Sequence, residues 1–335
     1  MDGFVPTVEP AETDHRMVSC CWFVLDGNME RKHMTMYDII IIGAGPAGIS
    51  AGIYAVSRGK RTLILEKAQV GGIIGKVSTV THYTAIEKQE TGATFAARMK
   101  KQALQAGVEI VQAEAVHVAL TGEVKSVTAD RGVYEAKRII LANGGTPRKL
   151  GIPGEKELAG KGMGMNAARD GAAYAGKNVY VVGGADGAVK EALYLAGFAK
   201  QVTIVHFEEQ LGCIAEFRQK VAAVGKISVR LASRLHAVYG QDQVERLEIA
   251  SEQDGSIETI EDPGCGIFVY AGILPNTEPY TELALEGGYI PTNDKMETAI
   301  PGVYAAGDIR VKQVRQVATA VSDGAIAAIN AAMEQ

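Results

Sequence analysis

The chain has 335 residues, of which 47% are apolar and 22% are charged, and its formal net charge is -5. At about 100 to 200 residues per domain, this length predicts two domains. No apolar run approaches the roughly 20 residues needed to span a bilayer, so we expect no membrane span. Acidic and basic residues are interspersed, which provides no basic stripe for a phosphate backbone and argues against a nucleic-acid partner.

Residues 1–35 show no periodic pattern. Their apolar run, MVSCCWFVL at 17–25, lacks a basic leader and a small-residue cleavage site, so it is a poor signal peptide. Met29, Met34 and Met36 stand close to the first predicted strand. Two interpretations stay open: a disordered N-terminal extension, or a start that lies upstream of the native one.

Two βαβ units follow. The first, from Tyr37, consists of strand YDIIII, loop GAGPAG, helix ISAGIYAVSRG and strand RTLILE. The second begins at Asn178 and consists of NVYVV, GGADGA, VKEALYLAGFA and QVTIVHF. The chain is therefore predicted to be an α/β protein with two Rossmann-like, three-layer domains of the dinucleotide-binding kind.

Three further segments predict buried strands, RIILANGG at 138–145, GIFVYAGILPNT at 266–277 and PGVYAAGDIR at 301–310. The first lies between the two units, and the other two come after the second unit. These returning strands indicate that the second domain is inserted into the first. We place the first domain at residues 36–150 plus 279–335, closing on the helix QVATAVSDGAIAAINAAM. The second, nucleotide-binding-like domain is placed at 151–278.

The first glycine loop predicts a dinucleotide site. Gly43, Gly45 and Gly48 suit a tight turn, a close backbone approach to a pyrophosphate and close helix packing, respectively. The helix N-terminus offers its partial positive charge to the phosphates. Glu66 stands 18 residues after Gly48, at the end of the next strand, where a carboxylate can accept hydrogen bonds from ribose hydroxyls.

Asp308 follows the last predicted strand directly after Gly307. Ligands bind at the carboxyl ends of strands in open α/β sheets, so Asp308 is predicted to accept a hydrogen bond from a ribityl hydroxyl. The alternative is that Asp308 only caps a helix.

These motifs resemble those of the low-molecular-weight thioredoxin reductases, both in their order and in their sequence. The resemblance includes the segments ANGGTPRKLGIPGE, EALYLAGFAKQVTIVH, YAGILPNT and RQVATAVSDGAIAA. Those enzymes are two-domain flavoproteins of the pyridine nucleotide-disulfide oxidoreductase group, and the resemblance extends from Tyr37 to the C-terminus. It implies a cytoplasmic homodimer with FAD in the first domain. The residues implied at the FAD site are Gly43, Gly45, Pro46, Ala47, Gly48, Glu66, Lys67, Gly71, Gly72, Ala115, Ala142, Asn143, Gly144, Gly307, Asp308, Arg315, Gln316 and Val317.

The resemblance also implies a Cys-x-x-Cys-Asp segment in the second domain, which takes electrons from the flavin and reduces thioredoxin. Here the same spacing holds Asn166, Arg169 and Asp170. Disulfide exchange needs an attacking and a resolving thiol, and neither an amide nor a guanidinium replaces them. Asp170 matches the proton donor of the family, but without a dithiol an N-cap or turn role is the simpler interpretation.

The remaining thiols do not supply a substitute pair. The four cysteines, Cys20, Cys21, Cys213 and Cys265, follow neither a secreted disulfide framework nor a zinc pattern, which favours a reducing cytoplasm and no metal site. Adjacent cysteines at 20 and 21 would form a strained disulfide. The other two stand alone and are interpreted as small apolar residues.

The second glycine loop differs from that of the resembled family. Its residues are Gly183, Gly184, Ala185 and Ala188, and the alanine at 185 stands where backbone approaches a pyrophosphate. After the next strand, the resemblance implies arginines for the 2'-phosphate of NADPH, whereas this chain has Glu208 and Glu209, with Gly212 further on. Carboxylates repel a phosphate, so NADPH is not expected. Glu208 either accepts from the free 2'-hydroxyl of NADH or is a solvated charge.

Residues implied near the flavin ring also depart from the family pattern, with Ile73 after the glycine pair, His82 before Tyr83, and Asn143 in place of threonine. Three hypotheses on function follow. The first is an FAD-dependent oxidoreductase that works without a dithiol and takes electrons from ferredoxin, another redox protein or NADH. The others are a thioredoxin reductase, as the family implies, and a non-catalytic flavin-binding subunit.

Overall fold

The computed structural model describes residues 24–25, 28–29, 36–87 and 90–333. Its helices are α1 (Pro46–Val56), α2 (Gly92–Gln105), α3 (Ala167–Asp170), α4 (Asp186–Leu195), α5 (Ala215–Ala223) and α6 (Val317–Met333). Its strands are β1 (Val24–Leu25), β2 (Asn28–Met29), β3 (Met36–Ile42), β4 (Thr62–Glu66), β5 (Glu109–Gln112), β6 (Ala115–Ala119), β7 (Lys125–Ala129), β8 (Gly132–Leu141), β9 (Gly145–Pro147), β10 (Asn178–Val182), β11 (Gln201–Val205), β12 (Ile227–Arg230), β13 (Ser233–Tyr239), β14 (Arg246–Ser251), β15 (Ile257–Glu261), β16 (Gly266–Val269), β17 (Ile273–Pro275) and β18 (Val303–Ala305).

The first sheet has the order β5-β4-β3-β8-β7-β6, with β18 pairing β8. Strand β3 is parallel to both neighbours, and β6, β7 and β8 form an antiparallel extension. Because successive side chains of a strand point to opposite faces, β3 is apolar on both. Ile39 and Ile41 pack in a core with residues of α1, α2 and α6. Ile40 and Ile42 pack on the other face with residues of β6 and β7.

The second sheet is parallel and has the order β12-β11-β10-β16. Its central strand β10, like β3, packs on both faces. Val179 and Val181 pack with residues of α4 and α5, whereas Tyr180 and Val182 pack with residues of the antiparallel strands β13 and β14. The two layered sheets, each with parallel central strands, confirm the predicted α/β fold class.

The chain leaves the first sheet after β8, forms the second sheet and returns to the first with β18 and α6. The outgoing β9 and the returning β17 pair antiparallel, with Gly145 opposite Pro275. This path agrees with an inserted second domain. The exact boundaries at 150 and 279 stay predictions.

Some predicted elements differ in extent. Helix α1 begins at Pro46 rather than at Ile49, because the fixed φ of proline suits the first helical position. Helix α4 likewise begins at Asp186 rather than at Val189, with its acidic residue in the first turn. The predicted strand at 266–277 is two strands, β16 and β17, separated by Gly272 at φ +95°.

Within the predicted N-terminal extension, Val24–Leu25 pairs antiparallel with Asn28–Met29. The other residues of 1–35, including the predicted disorder there, lie outside the described residues. Among the residues that the structure describes, no helix combines the length and the apolar character required to cross a bilayer.

Candidate functional site

Two positions of the first glycine loop have no room for a side chain. Gly43 has φ +101°, and a Cβ added there would lie 2.6 Å from the carbonyl oxygen of Ala142. A Cβ added at Gly48 would lie 1.9 Å from the carbonyl oxygen of Gly43. Both distances are well inside van der Waals contact. Glycine at these positions lets α1 start directly above the end of β3.

The N-terminus of α1 opens onto free space. Gly45 is its N-cap residue, no side chain caps this end, and a Cβ added at Gly45 would meet nothing within 4 Å. The glycine pair at 71 and 72 lies beside it: Gly71 N–H donates to the Ala44 carbonyl at 2.9 Å, and Gly72 approaches Gly45 closely. Uncapped N–H groups and the helix dipole make this space suitable for a phosphate.

Glu66 is fixed at the carboxyl end of β4, next to the loop. One carboxylate oxygen accepts from Ala44 N–H at 2.7 Å, and the other accepts from Ala68 N–H at 2.9 Å. A carboxylate has about four acceptor sites, so further ones remain for ribose hydroxyls. Lys67 pairs at 3.7 Å with the exposed Glu114, and Ala115 follows in β6.

Asp308 lies in the 3-10 turn Gly307–Ile309 that follows β18. Gly307 has φ +80° and packs on Ala47, which brings this turn to the first turn of α1. The Oδ1 atom of Asp308 is buried without a hydrogen-bond partner, and burial raises the pKa of this carboxyl. The turn has no side-chain cap, so the helix-cap alternative is wrong.

A buried carboxylate oxygen without a donor is costly. A ligand hydroxyl at Asp308, a phosphate at the open helix N-terminus and a ribose at Glu66 would satisfy the groups that the structure leaves available. The residues present therefore fit a flavin dinucleotide.

Sequence reasoning missed the support of this turn. The Oδ2 atom of Asp323 accepts from Gly307 N–H at 3.0 Å, from Arg310 Nε at 3.1 Å and from Lys312 Nζ at 2.6 Å. Asp323 is buried in α6. The sequence carries a signal for this role. Asp323 is the one acidic residue of the helix VATAVSDGAIAAINAAM, whose other residues are small, apolar or neutral polar.

The other predicted FAD contacts surround the same region. Arg315 Nε lies 3.5 Å from the carbonyl oxygen of Asp308, and its guanidinium lies over the ring of Tyr289. Gln316 N–H donates to Thr319 Oγ1 before α6 begins at Val317. Pro46 and Ala47 form the first turn of α1, and Ala142 N–H donates to the carbonyl of Ile42.

Asn143 and Gly144 begin the crossing to β9. The amide of Asn143 donates to the Asn276 carbonyl at 2.9 Å and accepts from Tyr280 O–H at 2.8 Å. Its side chain is therefore engaged within the protein, and its backbone carbonyl accepts from Asn276 Nδ2 at 2.7 Å. His82, also predicted near the flavin ring, instead faces Glu216 of α5 at 3.3 Å, whereas Ile73 is exposed.

The segment at 166–170 is a hydrogen-bonded polar cluster. Asn166 caps α3 by accepting from Arg169 N–H at 2.9 Å, and Asn166 N–H donates to Asp170 at 2.8 Å. The guanidinium of Arg169 donates two hydrogen bonds to Asp170, at 2.6 and 2.7 Å. These bonds hold the pKa of Asp170 below its usual value. An ionised, paired carboxylate favours the structural interpretation over a proton donor.

The two described cysteines are isolated. Cys213 and Cys265 are buried and free, whereas residues 20 and 21 lie outside the described residues. Burial raises the pKa of Cys265 to about 12 and also raises that of Cys213. Because the thiolate is the nucleophile in disulfide exchange, both are poorly suited to that chemistry.

The second glycine loop also has positions without room for a side chain. Gly183 has φ +131°, and its neighbour Ala188 lies in the first turns of α4, whose N-cap is Ala185. A Cβ added at Gly184 would lie 2.4 Å from the ring of His206. The buried imidazole of His206 is bonded in turn to the exposed carboxylate of Glu208 at 3.0 Å.

Comparisons with known proteins agree with this geometry. Residues 37–324 match the family model described as pyridine nucleotide-disulphide oxidoreductase. The thioredoxin reductase of Peptoclostridium acidaminophilum is 39% identical over 302 residues, which cover 88% of this chain and 96% of that protein.

Two solved thioredoxin reductases each share 34% identity with this chain and cover 88% of it and 97% of their own length. That of Lactococcus lactis in its FR conformation superposes with a TM-score of 0.84, and that of Streptococcus pyogenes with a TM-score of 0.57. The chain therefore belongs to the pyridine nucleotide-disulphide oxidoreductase family, and within it to the flavin-dependent oxidoreductases that resemble thioredoxin reductase.

Proposed function

We propose that this chain is an FAD-dependent oxidoreductase that works without a redox-active dithiol. The observation that carries the proposal is the cluster at 166–170. Where the resemblance implies two thiols, Asn166 caps a helix and Arg169 pairs with Asp170. Neither group exchanges disulfides, and the described thiols at 213 and 265 are buried and separate.

The chain's own residues define how FAD is held. The N-terminus of α1 at Gly45 would hold the pyrophosphate, with the glycine pair at 71 and 72 beside it. Glu66 would accept from the ribose, and Asp308 would accept from a ribityl hydroxyl. Asp323 keeps the turn at Gly307 in place. When bound, FAD supplies both one-electron and two-electron chemistry.

The donor proposed from the second loop is NADH rather than NADPH. Glu208 is oriented by His206 and is positioned to accept from a free 2'-hydroxyl, whereas it would repel a 2'-phosphate. Two arginines near the end of β11 are already paired, Arg230 with Glu258 and Arg234 with Glu252. Reduced ferredoxin or another redox protein is the alternative electron donor. This alternative is kept because the methyl group of Ala185 stands where the backbone would approach the pyrophosphate of a nucleotide.

The relatives are named thioredoxin reductases, which keeps reduction of thioredoxin as the alternative function. The missing thiols argue against it. We also propose, from the resemblance, that the protein is a cytoplasmic homodimer. A flavin-binding subunit without turnover is the outcome if no donor reduces the cofactor.

Anaerobic titration of the purified, flavin-loaded protein tests the proposal. NADH, NADPH and reduced ferredoxin are added separately, and the flavin absorbance near its visible maximum is followed. Bleaching by NADH or by ferredoxin, with no turnover of thioredoxin, is expected. Efficient NADPH-driven reduction of thioredoxin would contradict the proposal, and protein that takes up no FAD would overturn the cofactor assignment.

A variant sharpens the donor assignment. Glu208→Arg removes the repulsion and offers a bidentate phosphate ligand, so the preference should shift from NADH toward NADPH. The matched control is Glu209→Arg, which makes the same charge change one residue further on. Equal responses of the two variants would show that Glu208 has no specific role.

A further inference from the structure

Three side chains at the helices that pack on the second sheet make hydrogen bonds to one loop beside the first sheet. They are Asn166 at the start of α3 and Lys190 and Glu191 in α4. The contacts are Asn166 Nδ2 to the Lys76 carbonyl at 3.0 Å, Lys190 Nζ to the Thr79 carbonyl at 2.7 Å, and Ser78 N–H to Glu191 Oε1 at 3.1 Å. Each joins residues more than 85 positions apart in the sequence.

The contacted loop, residues 76–79, is firmly attached to the first sheet's own helices. Gly92, at the start of α2, donates to the Val77 carbonyl at 3.2 Å, and Val80 N–H donates to the Glu90 carbonyl at 2.8 Å. A Cβ added at Gly92 would lie 2.2 Å from the Ile74 carbonyl oxygen. Hydrogen bonds to this loop therefore attach to the part of the chain that is built on the first sheet, which we call the first unit. The second unit is the part that is built on the second sheet.

The contacts of Lys190 and Glu191 are charged and at least partly buried, whereas the amide contact of Asn166 is exposed. Glu191 is 2% exposed and Ser78 is 4% exposed, and Lys190 Nζ lies 3.6 Å from Glu191. Removing one member of a buried ion pair leaves the other uncompensated, which is strongly unfavourable. Separating the two sheets would also hydrate these groups, so the free-energy difference between closed and open arrangements depends on them.

Two solved relatives superpose on this chain to different degrees. The two structures described above share identity and coverage with this chain, yet their TM-scores are 0.84 and 0.57. A change in how two units are placed lowers an overall TM-score without changing identity or coverage. The whole chain superposes more closely on the first structure than on the second.

We propose that Asn166, Lys190 and Glu191 form a latch that holds the second unit against the 76–79 loop, so that this arrangement predominates in solution. Asn166 is the distinctive member, since its amide both caps α3 and donates to Lys76. A thiol at this position would be a weak donor. The latch is independent of which electron donor the protein uses.

Hydrogen exchange of the flavin-loaded full chain tests the latch. The reporter is the Ser78 amide, which donates across the interface, and the Val80 amide is the internal reference within the first unit. Asn166→Asp keeps the acceptor that caps α3 but removes the donor to Lys76. Lys190→Met removes the ammonium while keeping an apolar stem.

Both variants should speed exchange at Ser78 by about tenfold or more, because each raises the population of open states, with Val80 unchanged. The matched control is Lys226→Met, since Lys226 Nζ also donates to a carbonyl, that of Ala199 at 3.2 Å, within the second unit. Exchange at Ser78 that is unprotected in the unmodified chain, or the same in all variants, would overturn the proposal.

Small-angle X-ray scattering supplies an independent measurement. The unmodified chain should fit this single arrangement, and the double variant Asn166→Asp with Lys190→Met should require a mixture. A mixture in the unmodified chain would show that the contacts do not hold the units together.

Discussion

The two glycine loops follow equivalent parallel strands of the two sheets, yet they differ at the positions that would face a ligand. Gly43 and Gly183 both have positive φ, and a Cβ added to either would meet a neighbouring carbonyl oxygen, at 2.6 and 2.5 Å. At the N-cap, Gly45 opens onto free space, whereas Ala185 carries a methyl group. The turn is therefore common to both loops, and the space for a ligand is not.

The ends of the adjacent strands differ in the same way. Ile42 pairs with Leu65, and Val182 pairs with Val205, so Glu66 and His206 are equivalent positions. Glu66 binds the backbone N–H of Ala44 and leaves the loop open. His206 instead packs its ring on Gly184. The turn therefore indicates the fold, whereas the neighbouring side chains determine what it can bind.

The largest effect is expected at Gly48. Gly48→Ala places a Cβ at 1.9 Å from the Gly43 carbonyl oxygen, which α1 can relieve only by moving off the sheet. Overpacking of this kind costs about 1 to 3 kcal/mol or more, and we expect protein that purifies without FAD. Flavin per chain and thermal unfolding measure the effect.

The matched variant in the second loop is Ala188→Gly, which creates no clash. Its expected cost is about 1 kcal/mol, from the helix propensity of glycine, with FAD content unchanged. If Gly48→Ala retained full flavin and stability, the packing role of Gly48 would be wrong.

Asp308 provides the next largest effect. Asp308→Ala should weaken FAD binding by about 1.5 to 3 kcal/mol, the usual range for a hydrogen bond to a charged group. Fluorescence titration of the apoprotein with FAD measures this change. Unchanged affinity would remove Asp308 from the site.

Asp308 also predicts how the stability of the apoprotein depends on pH. Burial raises the pKa of Asp308 above its unfolded value, so its contribution to apoprotein stability is present at low pH and is lost as pH rises through the folded pKa. Asp308→Asn should therefore stabilise apoprotein at neutral pH and have little effect at pH values below the usual range of aspartate. Denaturant unfolding at both pH values tests this, and a neutral-pH loss of stability would contradict it.

A smaller effect is expected from reopening the second loop. Ala185→Gly removes the methyl group that stands where Gly45 stands in the first loop, and we expect NADH to bind about three- to tenfold more tightly, which corresponds to about 0.7 to 1.4 kcal/mol. The reciprocal control, Gly45→Ala, should weaken FAD binding. Isothermal titration measures both, and no change at either position would show that the methyl group is not limiting.

Local sterics explain why the turn at Gly43 and the close packing at Gly48 could be predicted from the sequence. The roles of Gly43 and Gly48 depend on residues a few positions away and on the adjacent strand, so the spacing of the motif contained them. The support from Asp323 and the contacts of Lys190 with the 76–79 loop join distant segments. No local pattern specifies them, although a buried acid among small residues was a usable signal.

The smallest effect is expected from Arg169→Ala, which tests whether the 166–170 cluster is structural. Arg169 is largely exposed, so solvent screens its pairing with Asp170, and the expected loss is under about 1 kcal/mol. Because the pairing lowers the folded pKa of Asp170, its contribution is present above the unfolded pKa and is lost as pH falls through the folded pKa. The variant and the unmodified chain should therefore differ slightly at pH 7 and converge in acid, as measured by denaturant unfolding. A large change in the rate of flavin reduction would instead show that Arg169 has a role in the chemistry. The second unit would then take part in catalysis even though its glycine loop is altered.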